Sequence, residues 1–148
     1  MTRRLLTLAR DRAAATAVEF ALLAPILLVL LMGMAKFGIT LNSYVMLTEA
    51  TADGARYLAL SRGAPTPYAS TVSQVTATAS NLTVASLTIT TTINGTACST
   101  NTACQTALNT AAGQPARVTA TYPCNLTVMG INFAPGCTLS SATTLMIE

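Results

Sequence analysis

The chain has 148 residues, which is enough for one small domain with one appendage. Its net charge of +3 arises at the start, where Arg3, Arg4, Arg10 and Arg12 outnumber Asp11, and the remaining charges cancel. Because no basic stretch interleaved with aromatic residues follows, the composition argues against a nucleic-acid-binding protein.

An apolar segment with a single charge, Glu19, follows the basic start. Residues 13–35 would extend about 35 Å as a helix, which exceeds the hydrocarbon core of about 30 Å. We therefore predict a transmembrane helix over 13–35, after a basic cytoplasmic leader at 1–12. The positive-inside rule places everything beyond Lys36 outside the cytoplasm. A cleaved secretory signal is the alternative, but the small residues 13–17 precede the apolar run, whereas a signal's cut site follows it.

The helix is predicted to continue outside the membrane over residues 36–62. Small and apolar residues recur there at spacings of three and four: Leu41, Val45, Thr48, Ala52, Ala55 and Ala59. Gly63, Pro65 and Pro67 then end the helix, since glycine suits a C-terminal cap and proline cannot continue a helix.

Residues 63–148 are rich in Thr, Ser, Ala and Asn and are predicted to form a small extracytoplasmic domain. A short second helix is expected at 68–80. Strands are expected at 82–93, 116–122 and 139–147, with a short extended piece inside 123–136. Residues 96–114 have the composition of a long loop, although Asn94-Gly95 is a strong turn signal. The predicted fold class is therefore α+β, with one long N-terminal helix followed by a small antiparallel sheet packed on a helix.

Four cysteines lie beyond the predicted membrane segment, where disulfides can persist. Three connectivities are open. The sequential pairing, Cys98 with Cys104 and Cys124 with Cys137, closes the shortest loops and is favoured. A four-cysteine zinc site is the alternative, but neither spacing has the two to four residues usual for such sites.

No catalytic site, metal site or cofactor is predicted. The chain has no histidine, and after Gly63 its only side-chain carboxylate is Glu148. The many hydroxyl groups there lack a general base other than this glutamate or the terminal carboxylate, so an enzyme is not expected.

Glu19 is the ionisable residue inside the predicted span, and such residues are candidates for function. One interpretation places its carboxylate near headgroup water, because it lies about 9 Å into the helix. The other is that a positive partner neutralises it when helices pack side by side. The best such partner would be a free N-terminal amine.

Two stretches resemble a known family. They are residues 12–28, which contain the Val18-Glu19-Phe20 step, and Asp53-Gly-Ala-Arg-Tyr57. Both are similar to TadE-like minor pilins, also called pseudopilins, of the tight-adherence (Tad or Flp) pilus system. The resemblance is specific over about residues 12–62 and only architectural beyond.

The resemblance implies cleavage by a prepilin peptidase between Ala14 and Ala15, which makes Glu19 the fifth residue of the mature chain, followed by Phe20. The family usually has glycine before the cut, where this sequence has Ala14. The implied partners are other pilin or pilin-like subunits, the peptidase, the Tad inner-membrane assembly machinery and the lipid bilayer. The implied location is the bacterial inner membrane, with a single pass, a cytoplasmic N-terminus and a periplasmic C-terminus. Incorporation into the pilus fibre and a role as an assembly factor at its base are both open.

Two functions are therefore considered. The first is a minor pilin that takes part in Tad pilus assembly and surface adhesion. The second is an uncleaved, single-pass, membrane-tethered binding or adhesive domain that is not part of a pilus.

Overall fold

The computed structural model describes residues 12–148, with side chains from residue 15 onward. Except for the backbone of Arg12, the predicted leader therefore lies outside the described residues. The α+β fold class is confirmed: one long apolar helix precedes a small antiparallel sheet and further helices. The described helices are α1 (Arg12–Leu60), α2 (Pro67–Thr78) and α3 (Asn101–Thr110). The described strands are β1 (Thr88–Ile93), β2 (Thr96–Cys98), β3 (Pro115–Pro123), β4 (Thr127–Val128), β5 (Ile131–Asn132) and β6 (Thr138–Met146).

Helix α1 is continuous over 49 residues and runs through Pro25 and across the predicted membrane boundary near Lys36. It ends at Leu60, and Gly63 adopts a φ of +78° in the connection that follows, a conformation that glycine reaches without strain. Pro67 then opens α2 at the first helical position, where its missing N–H costs no intrahelical hydrogen bond.

The C-terminal part of α1 contributes one side to the domain core. Its buried residues are Leu47, Ala50, Thr51, Gly54, Ala55, Leu58 and Ala59, which recur with the helical period. Of the residues whose spacing predicted the helix, Ala55 and Ala59 are buried, whereas Leu41, Val45, Thr48 and Ala52 are exposed. On a helix where most residues are small or apolar, residue type alone does not single out one face.

The sheet has four antiparallel strands in the order β2-β1-β3-β6. Its inward face carries alternate residues of the central strands, including Ile93, Val118 and Ala120, each at most 1% exposed. Alternation along a strand sends the neighbouring threonines to the opposite, solvent-facing side. The helices cover the inward face, and Thr51 of α1 hydrogen-bonds Ser141 of β6 through their hydroxyls at 3.0 Å.

The predicted loop over residues 96–114 was wrong, because it contains β2 and α3. Asn94 and Gly95 both have positive φ, as a type I′ turn requires, and they fold β2 back on β1. The hydroxyl of Thr100 accepts a hydrogen bond from the Ala103 N–H and caps α3. Leu108 of α3 is fully buried.

The extended piece expected within 123–136 is a small separate hairpin formed by β4 and β5. It pairs Thr127 with Asn132 and Val128 with Ile131. Gly130, with a φ of +83°, lies in its turn. The hairpin projects from the domain and lies beside the N-terminal half of α1.

Candidate membrane and assembly surface

The N-terminal half of α1 presents apolar side chains to its surroundings on all sides. Within residues 15–148, α1 from Ala15 onward is long and apolar enough to cross a membrane, and none of its most apolar 18-residue stretch is buried. Phe20, Ile26 and Met34 are each at least 60% exposed. A helix that is apolar around its whole circumference is stable where lipid or other helices surround it. This half of α1 is therefore compatible with membrane anchoring.

The residues of the predicted processing step lie at the start of α1. The Ala14–Ala15 peptide bond falls in the first turn of the helix, and Ala15, Glu19 and Phe20 are exposed. Ala15 and Glu19 are four residues apart, so they lie on the same face about 6 Å apart along the axis. The side chain of Ala14 lies outside the described residues. Ala15, which follows the predicted cut, and Glu19 are therefore both exposed on one face of the helix.

Both cysteine pairs form disulfides in the sequential arrangement, Cys98–Cys104 and Cys124–Cys137. The Cα atoms are 5.2 Å and 5.3 Å apart, within the usual range for a disulfide. The first bond is in the core and fastens the start of α3 to β2. The second bond closes the base of the β4–β5 hairpin.

The segment Asp53–Arg56 is where α2 docks on α1. Gly54 is buried against α2, and a Cβ atom placed on it would lie 2.3 Å from Cγ2 of Val75. The neighbouring Asp53 carboxylate accepts a hydrogen bond from the Thr78 hydroxyl at 3.1 Å. Glycine therefore allows the close approach of the two helices, and aspartate fixes the end of α2. The sequence alone does not reveal this contact, because Val75 and Thr78 lie more than 20 residues along the chain from the α1 residues that they contact.

These features coincide with a family match. The family model described as TadE-like protein matches residues 14–56. The chain carries a TadE-like segment. No curated protein and no solved structure matches the chain.

The TadE-like segment begins at the proposed cut and ends at Arg56, so it covers the apolar half of α1 and most of its buried stripe. TadE-like pilins belong to the Tad pilus system, and this family is structural rather than catalytic. The resemblance noted from Glu19 and from Asp53–Arg56 is therefore confirmed over that stretch. The domain beyond Leu60 lies outside the match.

The Gly54 contact gives a direct test of how α2 is held on the TadE-like segment. Replacing Gly54 with alanine is expected to lower the free energy of unfolding by about 1 kcal/mol. Overpacking lowers the free energy of unfolding by about 1–3 kcal/mol. The higher helix propensity of alanine relative to glycine raises it by about 1 kcal/mol. Urea unfolding of the full chain in mild detergent, followed by circular dichroism, measures the change.

Two further variants separate the clash from other effects. Gly38→Ala is the matched control on the same helix, because the described residues leave open space beside Gly38. It is expected to be neutral or stabilising. Val75→Ala removes the atom that Gly54→Ala would meet, so the double variant should be more stable than the sum of the two single changes. Simple additivity would contradict the close-approach account.

Proposed function

We propose that the chain is a minor pilin of a Tad pilus, anchored in the bacterial inner membrane by α1 with its N-terminus in the cytoplasm and its domain in the periplasm. One observation carries the proposal. The apolar half of α1 is exposed on all sides, while the domain packs mainly on the half that follows it. A helix of this kind can be surrounded first by lipid and then by the equivalent helices of other subunits.

The charge distribution supports this orientation. Four arginines precede residue 13, so the positive-inside rule retains that end in the cytoplasm. Both disulfides belong to the part that would be exported, where an oxidising compartment can form them. The proposed boundaries remain 1–12 for the leader, 13–35 for the span, 36–62 for the helix extension and 63–148 for the domain.

Cleavage between Ala14 and Ala15 is the activating step in this proposal. The bond lies within the first described turn of α1. Cleavage removes the arginines and creates a positive amine on Ala15. That amine of one subunit then neutralises Glu19 of its neighbour when the helices pack, which fixes their register. The assembled pilus, in turn, mediates surface adhesion.

The intact mass of the membrane-extracted protein, produced with and without a prepilin peptidase, tests the cleavage. We expect the loss of residues 1–14 only when the peptidase is present. Ala14→Gly introduces the residue that the family usually has before the cut and should be processed at least as fully. Ala14→Leu, which is bulkier at the same position, should remain uncut.

The second candidate is an uncleaved, membrane-tethered binding or adhesive domain, and Ala14 is the observation that favours it. It predicts an unchanged mass for the natural sequence under both conditions. If only Ala14→Gly were cleaved, the natural chain would be a tethered domain and Glu19 would lack its proposed partner.

A further inference from the structure

The β4–β5 hairpin exposes large apolar side chains that the domain core does not use. Met129, Ile131 and Phe133 are between 63% and 69% exposed. The loop that contains them, residues 124–137, has no charged residue and is closed at its base by a disulfide. A small, cross-linked apolar protrusion of this kind marks an interaction site.

The position of the hairpin along α1 indicates what surrounds it. An apolar groove of about 470 Å³ separates the two elements, with Val29, Met34 and Phe37 on the helix side and Leu126, Val128 and Phe133 on the hairpin side. The hairpin therefore lies level with the last turns of the most apolar part of α1.

The surroundings of α1 become more polar towards its C-terminus. A second cavity, nearer the C-terminus of α1, has a volume of about 210 Å³ and is lined by polar residues, Thr40, Ser43, Tyr122 and Asn125, as well as by Ile39 and Leu139. Lys36 lines both cavities. A lysine at such a border can extend its ammonium group to lipid headgroups while its methylene chain stays in apolar surroundings.

We propose that the β4–β5 hairpin is a second membrane contact, which enters the outer leaflet of the bilayer beside α1. The proposal rests on the membrane anchoring of α1 proposed above. With Lys36 at the headgroups, Val29 lies about 10 Å deeper along the helix, which is inside the hydrocarbon core. Phe133 lines the same groove as Val29, so in this proposal Phe133 and the neighbouring exposed Ile131 contact acyl chains. Lys36 and the polar cavity lie at the headgroup level.

Backbone in lipid requires that its polar groups are paired within the protein, and several backbone groups of the hairpin are paired in this way. The ladder between β4 and β5 pairs its central residues. At its ends, the side-chain oxygens of Asn125 and Asn132 accept hydrogen bonds from the N–H groups of Thr127 and Ala134, both at 3.0 Å. The Phe133 N–H donates to the Leu126 carbonyl at 3.3 Å. These backbone groups therefore have hydrogen-bond partners within the hairpin.

The chain has no tryptophan, so a single introduced tryptophan reports one position. Phe133→Trp probes the hairpin, and Met146→Trp is its matched control because both side chains are 65% exposed and Met146 lies beside Leu60, far along α1. Met32→Trp reports the span itself. Each full-length variant is placed at one copy per nanodisc in lipids brominated on their acyl chains, and tryptophan emission is compared with that in unbrominated lipids.

We expect Phe133→Trp and Met32→Trp to lose most of their emission and Met146→Trp to retain it. If Phe133→Trp kept its emission while Met32→Trp lost it, the anchor would stand and the hairpin contact would be overturned. That result would be expected if a neighbouring subunit, rather than lipid, covers the hairpin in the pilus. Retention by Met32→Trp would overturn both the anchor and the contact. Ile131→Trp, also exposed in the hairpin, provides a second probe should Phe133→Trp misfold.

Discussion

Replacing both Cys98 and Cys104 with alanine is expected to lower the free energy of unfolding of the full chain by about 2–5 kcal/mol. The two sulfurs are buried in the core, so the change removes packing as well as the cross-link. It also releases α3, whose Thr- and Asn-rich sequence has low helix propensity. The buried Thr91 hydroxyl donates to the Cys98 carbonyl and lies 3.4 Å from its sulfur, so this contact would be disturbed too.

The matched control is the double alanine variant at Cys124 and Cys137. Its bond closes a longer loop, yet that loop is the projecting hairpin, which can open by itself while the four-stranded sheet stays folded. We expect a smaller loss in urea unfolding in mild detergent, together with faster amide hydrogen exchange confined to residues 124–137. Equal losses for the two double variants would show that the hairpin unfolds together with the core.

Replacing Glu19 with alanine or glutamine is expected to abolish most pilus assembly in the native bacterium while the chain still accumulates in the membrane. A charge at the centre of a membrane helix costs about 2.5–3.5 kcal/mol, so removing the carboxylate should ease insertion rather than prevent it. What is lost is the partner for the Ala15 amine, which would then be unpaired in an apolar helix bundle. Pili sheared from the cells and detected by immunoblotting give the readout.

Glu49→Gln is the control for the Glu19 variants, because Glu49 is exposed on the same helix but beyond the predicted span. It should leave assembly unchanged. Intact mass distinguishes a processing defect from an assembly defect in each variant. Normal pili from Glu19→Ala would exclude the proposed pairing between the amine and the carboxylate.

The long helix, the second helix and three strands were predictable because their signals are local. Residues 13–35 form an apolar segment whose only charge is Glu19, and Leu87, Ile89, Thr91 and Ile93 alternate along the chain with other threonines. The family segment was also recognisable, because Glu19 and Asp53–Arg56 lie within one stretch of chain.

The elements that the sequence did not reveal depend on distant contacts. The cross-link to Cys98 and the burial of Leu108 stabilise α3, although Thr and Asn, which make up half of it, disfavour a helix. Strand β2 has only three residues, too few for a period to show. The buried face of α1 includes Gly54 and Thr51. Their burial follows from contacts with Val75 and Ser141 in other elements and not from their own hydrophobicity.

The pairing of β6 with β3 sets the order in which the chain can fold. The buried stripe of α1 between Leu47 and Leu58 is synthesised first, yet it packs in part against β6, which lies about 90 residues later in the chain. Until β6 emerges, part of that stripe and the outer edge of β3 lack their packing partner. Contacts so distant in sequence form slowly. The four-stranded sheet therefore cannot be completed before β6 has been synthesised.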